Sequence, residues 1–111
     1  MTNLRNSVKL IGRLGKDPEV RTFDSGKKMA TFSIATTDSY KNQKGEKVSD
    51  TQWHTIVIWG KLADVAGKYL KKGNEIAVEG KLVHRVYETS AKEKRYITEI
   101  NVNEMLMLAG K

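Results

Sequence analysis

The chain has 111 residues, the length of one domain, and 39% of them are hydrophobic, enough to fill a single core. Twenty lysines and arginines against thirteen aspartates and glutamates give a net charge of +7, which favours an anionic partner. With no cysteine, disulfides, thiolate metal sites and cysteine nucleophiles are excluded, and no apolar run is long enough to span a bilayer.

Residues 1–14 alternate like a strand and lack the apolar run of a secretory signal, so a soluble, cytoplasmic protein is expected. Val8–Leu14 reads as a first strand, ended by Gly15-Lys16-Asp17-Pro18, where Asp before the only proline is turn chemistry. Residues 20–23 continue the sheet into a hairpin turn at Asp24-Ser25-Gly26. Ala30, Phe32 and Ile34 alternate with Thr31 and Ser33, the period of a half-buried strand. Tyr40 then leads into a charged hairpin tip, residues 41–47, and residues 52–59 form the next strand. After Gly60 the period changes: Leu62, Val65, Ala66, Tyr69 and Leu70 make one stripe of an amphipathic helix, with Gly73 as its left-handed cap. Two strands follow, 75–87 and 96–102, joined by a charged loop over 88–95.

Short strands with one interposed helix predict a single, mainly all-β domain over residues 1–111. The pattern fits a five-stranded OB-fold barrel, with the helix between the third and fourth long strands. An SH3-like barrel is the structural rival, but it has no need of this helix.

In residues 52–59, Trp53, Thr55, Val57 and Trp59 share one face of the strand, while His54, Ile56 and Ile58 share the other. Ile56 and Ile58 make a natural core face, which leaves both tryptophans together on the opposite side, about 20 Å apart. Unpaired nucleobases present flat faces to such rings, and stacking one is worth about 1–3 kcal/mol whatever the base. The alternative is that the indoles pack under a loop or in a subunit contact. Lys81, Arg85 and Tyr87 share one parity of the following strand, opposite Ile76, Val78, Gly80 and Leu82. Lys61, Lys81 and Arg85, interleaved with rings, are therefore the leading phosphate candidates, with Lys41 and Lys44 on the hairpin tip. Lys71 and Lys72 close the helix, where a cation also offsets the macrodipole.

Nothing in the chain assembles into catalytic chemistry. His54 and His84 lie on separate strands without metal-ligand spacing, and neither a GxxxxGK[ST] loop nor a GxSxG elbow occurs. His54 shares parity with Ile56 and Ile58, which favours a hydrogen-bonded core or interface histidine over a general base. No enzyme activity, metal or cofactor is expected.

Four stretches resemble the bacterial single-stranded DNA-binding protein family: Leu14-Gly15-Lys16-Asp17-Pro18-Glu19-Val20-Arg21, Trp53-His54-Thr55-Ile56-Val57-Ile58-Trp59-Gly60-Lys61-Leu62-Ala63, Tyr69-Leu70-Lys71-Lys72-Gly73 and Gly80-Lys81-Leu82. The resemblance runs over about residues 3–110. It implies an OB barrel, usually a homotetramer that wraps single-stranded DNA, acting in replication, recombination and repair at the nucleoid. It carries the stacking roles onto Tyr40, Trp53, Trp59 and Tyr87, and sets His54 near a subunit contact. Family members often have Trp at the positions of Tyr40 and Tyr87 and Phe at that of Trp59, so a ring is kept throughout. An RNA-binding or a dimeric primosomal OB-fold protein is the alternative within the same fold. Members commonly continue through a flexible linker to an acidic tip that recruits replication and repair enzymes. This chain is expected to stop where the barrel ends, at Met105-Leu106-Met107-Leu108-Ala109-Gly110-Lys111, so recruitment through such a tip is not expected of these residues.

Overall fold

The alternating segments form six strands and one helix in the computed structural model, which describes residues 5–108. The first four residues of the alternating N-terminal stretch and the last three of the chain lie outside the described residues. The order is β1 (Val8–Leu14), β2 (Glu19–Thr22), β3 (Lys28–Lys41), β4 (Lys47–Trp59), α1 (Lys61–Tyr69), β5 (Glu75–Glu88) and β6 (Lys94–Leu108).

The sheet runs β1-β5-β6-β4-β3, and β1 returns to pair with β3 at Arg13–Ala35 and Leu14–Ile34, closing a five-stranded OB barrel. All neighbours are antiparallel except β4 and β6, which run parallel over Thr55–Glu99 to Val57–Asn101. The short β2 lies outside this ring, paired only with residues 28–31 of β3. Closure needs close backbone approach. A Cβ on Gly12 would stand 2.5 Å from the carbonyl oxygen of Ala35, and one on Gly80 2.1 Å from that of Asn101, so both positions take glycine. Beside Gly80 the β5–β6 register shifts, with Asn103 as the extra residue.

The interior is filled by the inward rows. Ala30, Phe32 and Ile34 of β3 meet Ile56 and Ile58 of β4, Ile76 and Val78 of β5, and Ile100 and Val102 of β6. The helix adds Ala63 and Ala66, with Leu70 just beyond it, so its buried stripe differs from the expected one: Val65 and Tyr69 face water. Gly73 does have positive φ, as its role as a cap requires. It serves a turn after the helix, however, which ends at Tyr69 with Leu70 extended. In that turn Lys71 N–H donates to Asn74 Oδ1, and Gly73 N–H donates to the Leu14 carbonyl. Lys71 and Lys72 therefore lie past the helix, and Lys68 is the cation of its last turn.

The two long hairpins are longer than their sequence suggests. The turns shrink to residues 42–46 and 89–93 because paired strands continue through the charged stretches. Both hairpins run past the barrel, and the radius of gyration is 16.1 Å against about 13 Å for an equidimensional domain of this length.

Candidate nucleic-acid interface

On β4 the pleat sends Ile56 and Ile58 inward, both fully buried, and turns Trp53 and Trp59 outward, 61% and 44% exposed. Val57 belongs to the same outward row yet is only 4% exposed and lies apart from the core cluster, forming an apolar floor between the indoles. Trp53 lies over Gly15: a Cβ there would come within 2.6 Å of the indole Cζ3. The glycine of the first turn thus lets the ring lie close over the backbone of that loop.

The sheet carries this surface sideways. Thr31, Val57, Asn101 and Lys81 lie side by side across β3, β4, β6 and β5. Lys81 is thus two strands, about 10 Å, from the middle of the tryptophan row. In the next row Ser33, Thr55, Glu99 and Val83 stand abreast. Arg85, diagonal to Glu99, reaches it with Nε at 2.9 Å and one Nη at 2.6 Å. Those hydrogen bonds, and then the carboxylate's charge, raise the Arg85 pKa above its ordinary value. The pair occupies two of the five guanidinium N–H donors and neutralises the buried Glu99, so Arg85 offers less net charge to a phosphate than Lys81 does. Tyr87, on the same face and 49% exposed, stands farther out, opposite Arg95.

Tyr40 is 56% exposed, but it pairs with Val48 in the row that continues Ile34–His54, the inward parity of the hairpin. Beyond the barrel that row has no core to cover. Alternation therefore sets Tyr40 on the side opposite Trp53, and its ring is not part of the same flat patch. Lys41 lies in the outward row, directly opposite Lys47, and Lys44 sits in the turn. Lys61 opens the helix two residues after Trp59. Lys41, Lys44, Lys61, Lys71, Lys72 and Lys81 take part in no ion pair among the described residues. His54 is half-buried in the inward row, its Nε2 2.9 Å from Thr36 Oγ1.

Two further residues join the outward face. Phe23 stacks on Trp59 with ring centroids 5.8 Å apart and an interplanar angle of 27°. Arg21 pairs with Met29, which pairs with Trp59, so its cation extends the same row. A parity count carried two strands back from Trp59 finds both, once the β2–β3–β4 register is known. No group of three or more histidine or acidic side chains is placed to hold a metal among the described residues.

The model of the single-strand binding protein family matches residues 5–108. The chain belongs to that family. A single-stranded DNA-binding protein of Neisseria meningitidis serogroup A is 43% identical over 106 residues, covering 96% of this chain and 61% of that relative. One from Chlorobaculum tepidum is 44% identical over 107 residues, covering 96% and 66%. The chain thus spans about six-tenths of the length of the meningococcal relative. Among solved structures, a Plasmodium falciparum SSB complex with single-stranded DNA superposes with a TM-score of 0.85 at 35% identity over 97% of both chains. A deletion mutant of the single-stranded DNA binding protein from Thermus aquaticus gives a TM-score of 0.82 at 27% identity, over 96% of this chain and 51% of that one.

Proposed function

We propose that this member of the single-strand binding protein family binds single-stranded DNA without regard to base sequence and has no catalytic role. Bases stack on the outward rings, and lysines beside them neutralise phosphate. The observation that carries this reading is the β4 row, where two exposed indoles flank a buried valine in a sheet row that ends at Lys81, a cation in no ion pair among the described residues. Rings prefer unpaired bases because a duplex hides their faces, and ring and cation together read no sequence. Trp53 and Trp59 form the stacking centre, with Tyr87 and Tyr40 reached by strand leaving that centre along the two hairpins. Lys61 and Lys81 are the first phosphate contacts, followed by Lys41, Lys44, Lys71, Lys72 and the free donors of Arg85. Such a protein coats exposed strands at the nucleoid in replication, recombination and repair.

Titration with oligo(dT) at low salt is expected to quench tryptophan emission, with affinity that falls steeply as salt rises. Unchanged emission at saturating oligomer would overturn the reading. Duplex and RNA oligomers of equal length are expected to compete poorly, and RNA that competes as well as DNA would assign the surface to RNA. Lys81→Ala is expected to lower the slope of log K against log salt by about 0.7, one single-strand phosphate.

Self-association into a homotetramer belongs to the same proposal. Among the described residues, 8–12 of β1 pair with β5 on one edge only, and the other edge has no strand partner. Ile11, Ala77 and Leu106 make an apolar row across β1, β5 and β6, with Ile11 and Leu106 well exposed. His54 is carried as a subunit contact, its half-buried ring held by Thr36. Sedimentation at micromolar protein is expected to give four copies, and a monomer would contradict this part alone.

A further inference from the structure

Next to the Phe23–Trp59 stack, the turn between β2 and β3 faces the start of α1 across a cleft of about 300 Å³ lined by Gly26, Lys27, Lys28, Gly60, Lys61 and Asp64. Two backbone hydrogen bonds hold the walls. Phe23 N–H donates to the Lys27 carbonyl at 2.8 Å, and Gly60 N–H to the Lys28 carbonyl at 2.9 Å. Gly26 and Gly60 have open space where a Cβ would stand, so an incoming group meets bare backbone from both sides. Of the three lysines, Lys28 is held by Asp64 at 2.8 Å, whereas Lys27 and Lys61 take part in no ion pair among the described residues. The stacked rings remain partly open, Phe23 at 41%.

An exposed ring pair bordering a pocket with two uncommitted cations matches a nucleotide unit, a flat base joined to an anionic phosphodiester. We infer that the single-strand surface extends into this cleft through Phe23 and Lys27: one phosphodiester sits between Lys27 and Lys61 while the adjoining base stacks on the Phe23–Trp59 pair. The inference rests on the single-strand reading above and deepens it. The strand leaves the tryptophan row over the β2–β3 turn, and Phe23 is a base-contacting residue as well as packing for Trp59.

The test uses the whole chain with dT oligomers carrying one 5-iodo-deoxyuridine at graded positions, irradiated and digested with trypsin. At one position the oligomer is expected to crosslink to the peptide of residues 22–27, which contains Phe23. Phe23→Ala and Phe23→Leu are each expected to lower oligo(dT) affinity about tenfold, the order of one lost stack. Phe23→Tyr should bind like the parent, a rescue that packing alone does not explain because leucine also fills the space. Joint replacement of Lys27 and Lys61 by alanine should lower the salt slope by about 0.7. The inference is overturned if peptides holding Trp53 crosslink but residues 22–27 never do, or if Phe23→Leu binds as tightly as the parent, or if the slope is unmoved. A parent protein that bound no oligomer at all would instead bring down the broader reading.

Discussion

Trp53 depends on a residue that has no side chain. Its indole lies where a Cβ on Gly15 would stand, so Gly15→Ala must move either the ring or the turn. The variant is expected to fold and to lose several-fold in oligo(dT) affinity with a smaller fluorescence quench. An affinity equal to the parent's would show that the ring's seat on Gly15 is irrelevant. Trp53→Ala should cost about 1–3 kcal/mol of binding by isothermal titration. Alternation alone exposes the Trp53 and Trp59 faces, because isoleucines leave no doubt which side is core. It does not place Tyr40, whose row turns outward only where the hairpin outruns the barrel. Nor does it reveal Phe23 against Trp59, a contact between segments that are neighbours only through the β2–β3–β4 register.

Between elements, ion pairs decide which cations remain available. Glu99 is buried on β6 and depends on Arg85 of β5, so Arg85→Met leaves a carboxylate without its partner. Urea unfolding is expected to show a loss of about 1–3 kcal/mol, and pairing Arg85→Met with Glu99→Gln should recover part of it. Full stability in the single variant would contradict this role. That pair was hidden in the sequence, since residues fourteen apart meet only in the register that the hairpin adopts. At the other end, the Lys28 hydrogen bond and then its charge hold the Asp64 carboxyl below its ordinary value of 3.8. A lowered carboxylate pKa contributes stability above the ordinary value and loses it as pH falls through the lowered one. Stability below about pH 4 is therefore expected to fall less for Asp64→Asn than for the parent; both partners are open to water, so the difference is small. An identical acid limb would contradict the pairing. The helix itself was legible from its change of period, but its buried side carries Ala63 and Ala66 while Val65 and Tyr69 stay exposed.

At the scale of the molecule, a closed barrel and two projecting hairpins divide the work between stability and reach. The barrel was readable from strand spacing and the position of the helix, whereas the close backbone approaches at Gly12 and Gly80 that let it close emerge only from the structure. The hairpin lengths were not, because polar residues on both faces erase the alternation that marks a strand. The net charge of +7 is spread over the surface, and several lysines near the outward rings lack ion partners among the described residues. Charge alone would bind any polyanion, so the contribution of the rings must appear as a difference between ligands with equal phosphate. The most direct measurement is a pair of titrations at one ionic strength, with oligo(dT) and with an abasic phosphodiester of the same length, each followed by tryptophan emission. The thymine oligomer is expected to bind more tightly and to quench strongly, while the abasic strand binds weakly and leaves the emission nearly unchanged. Equal affinity and equal quench for the two would mean that the indoles do not stack on bases.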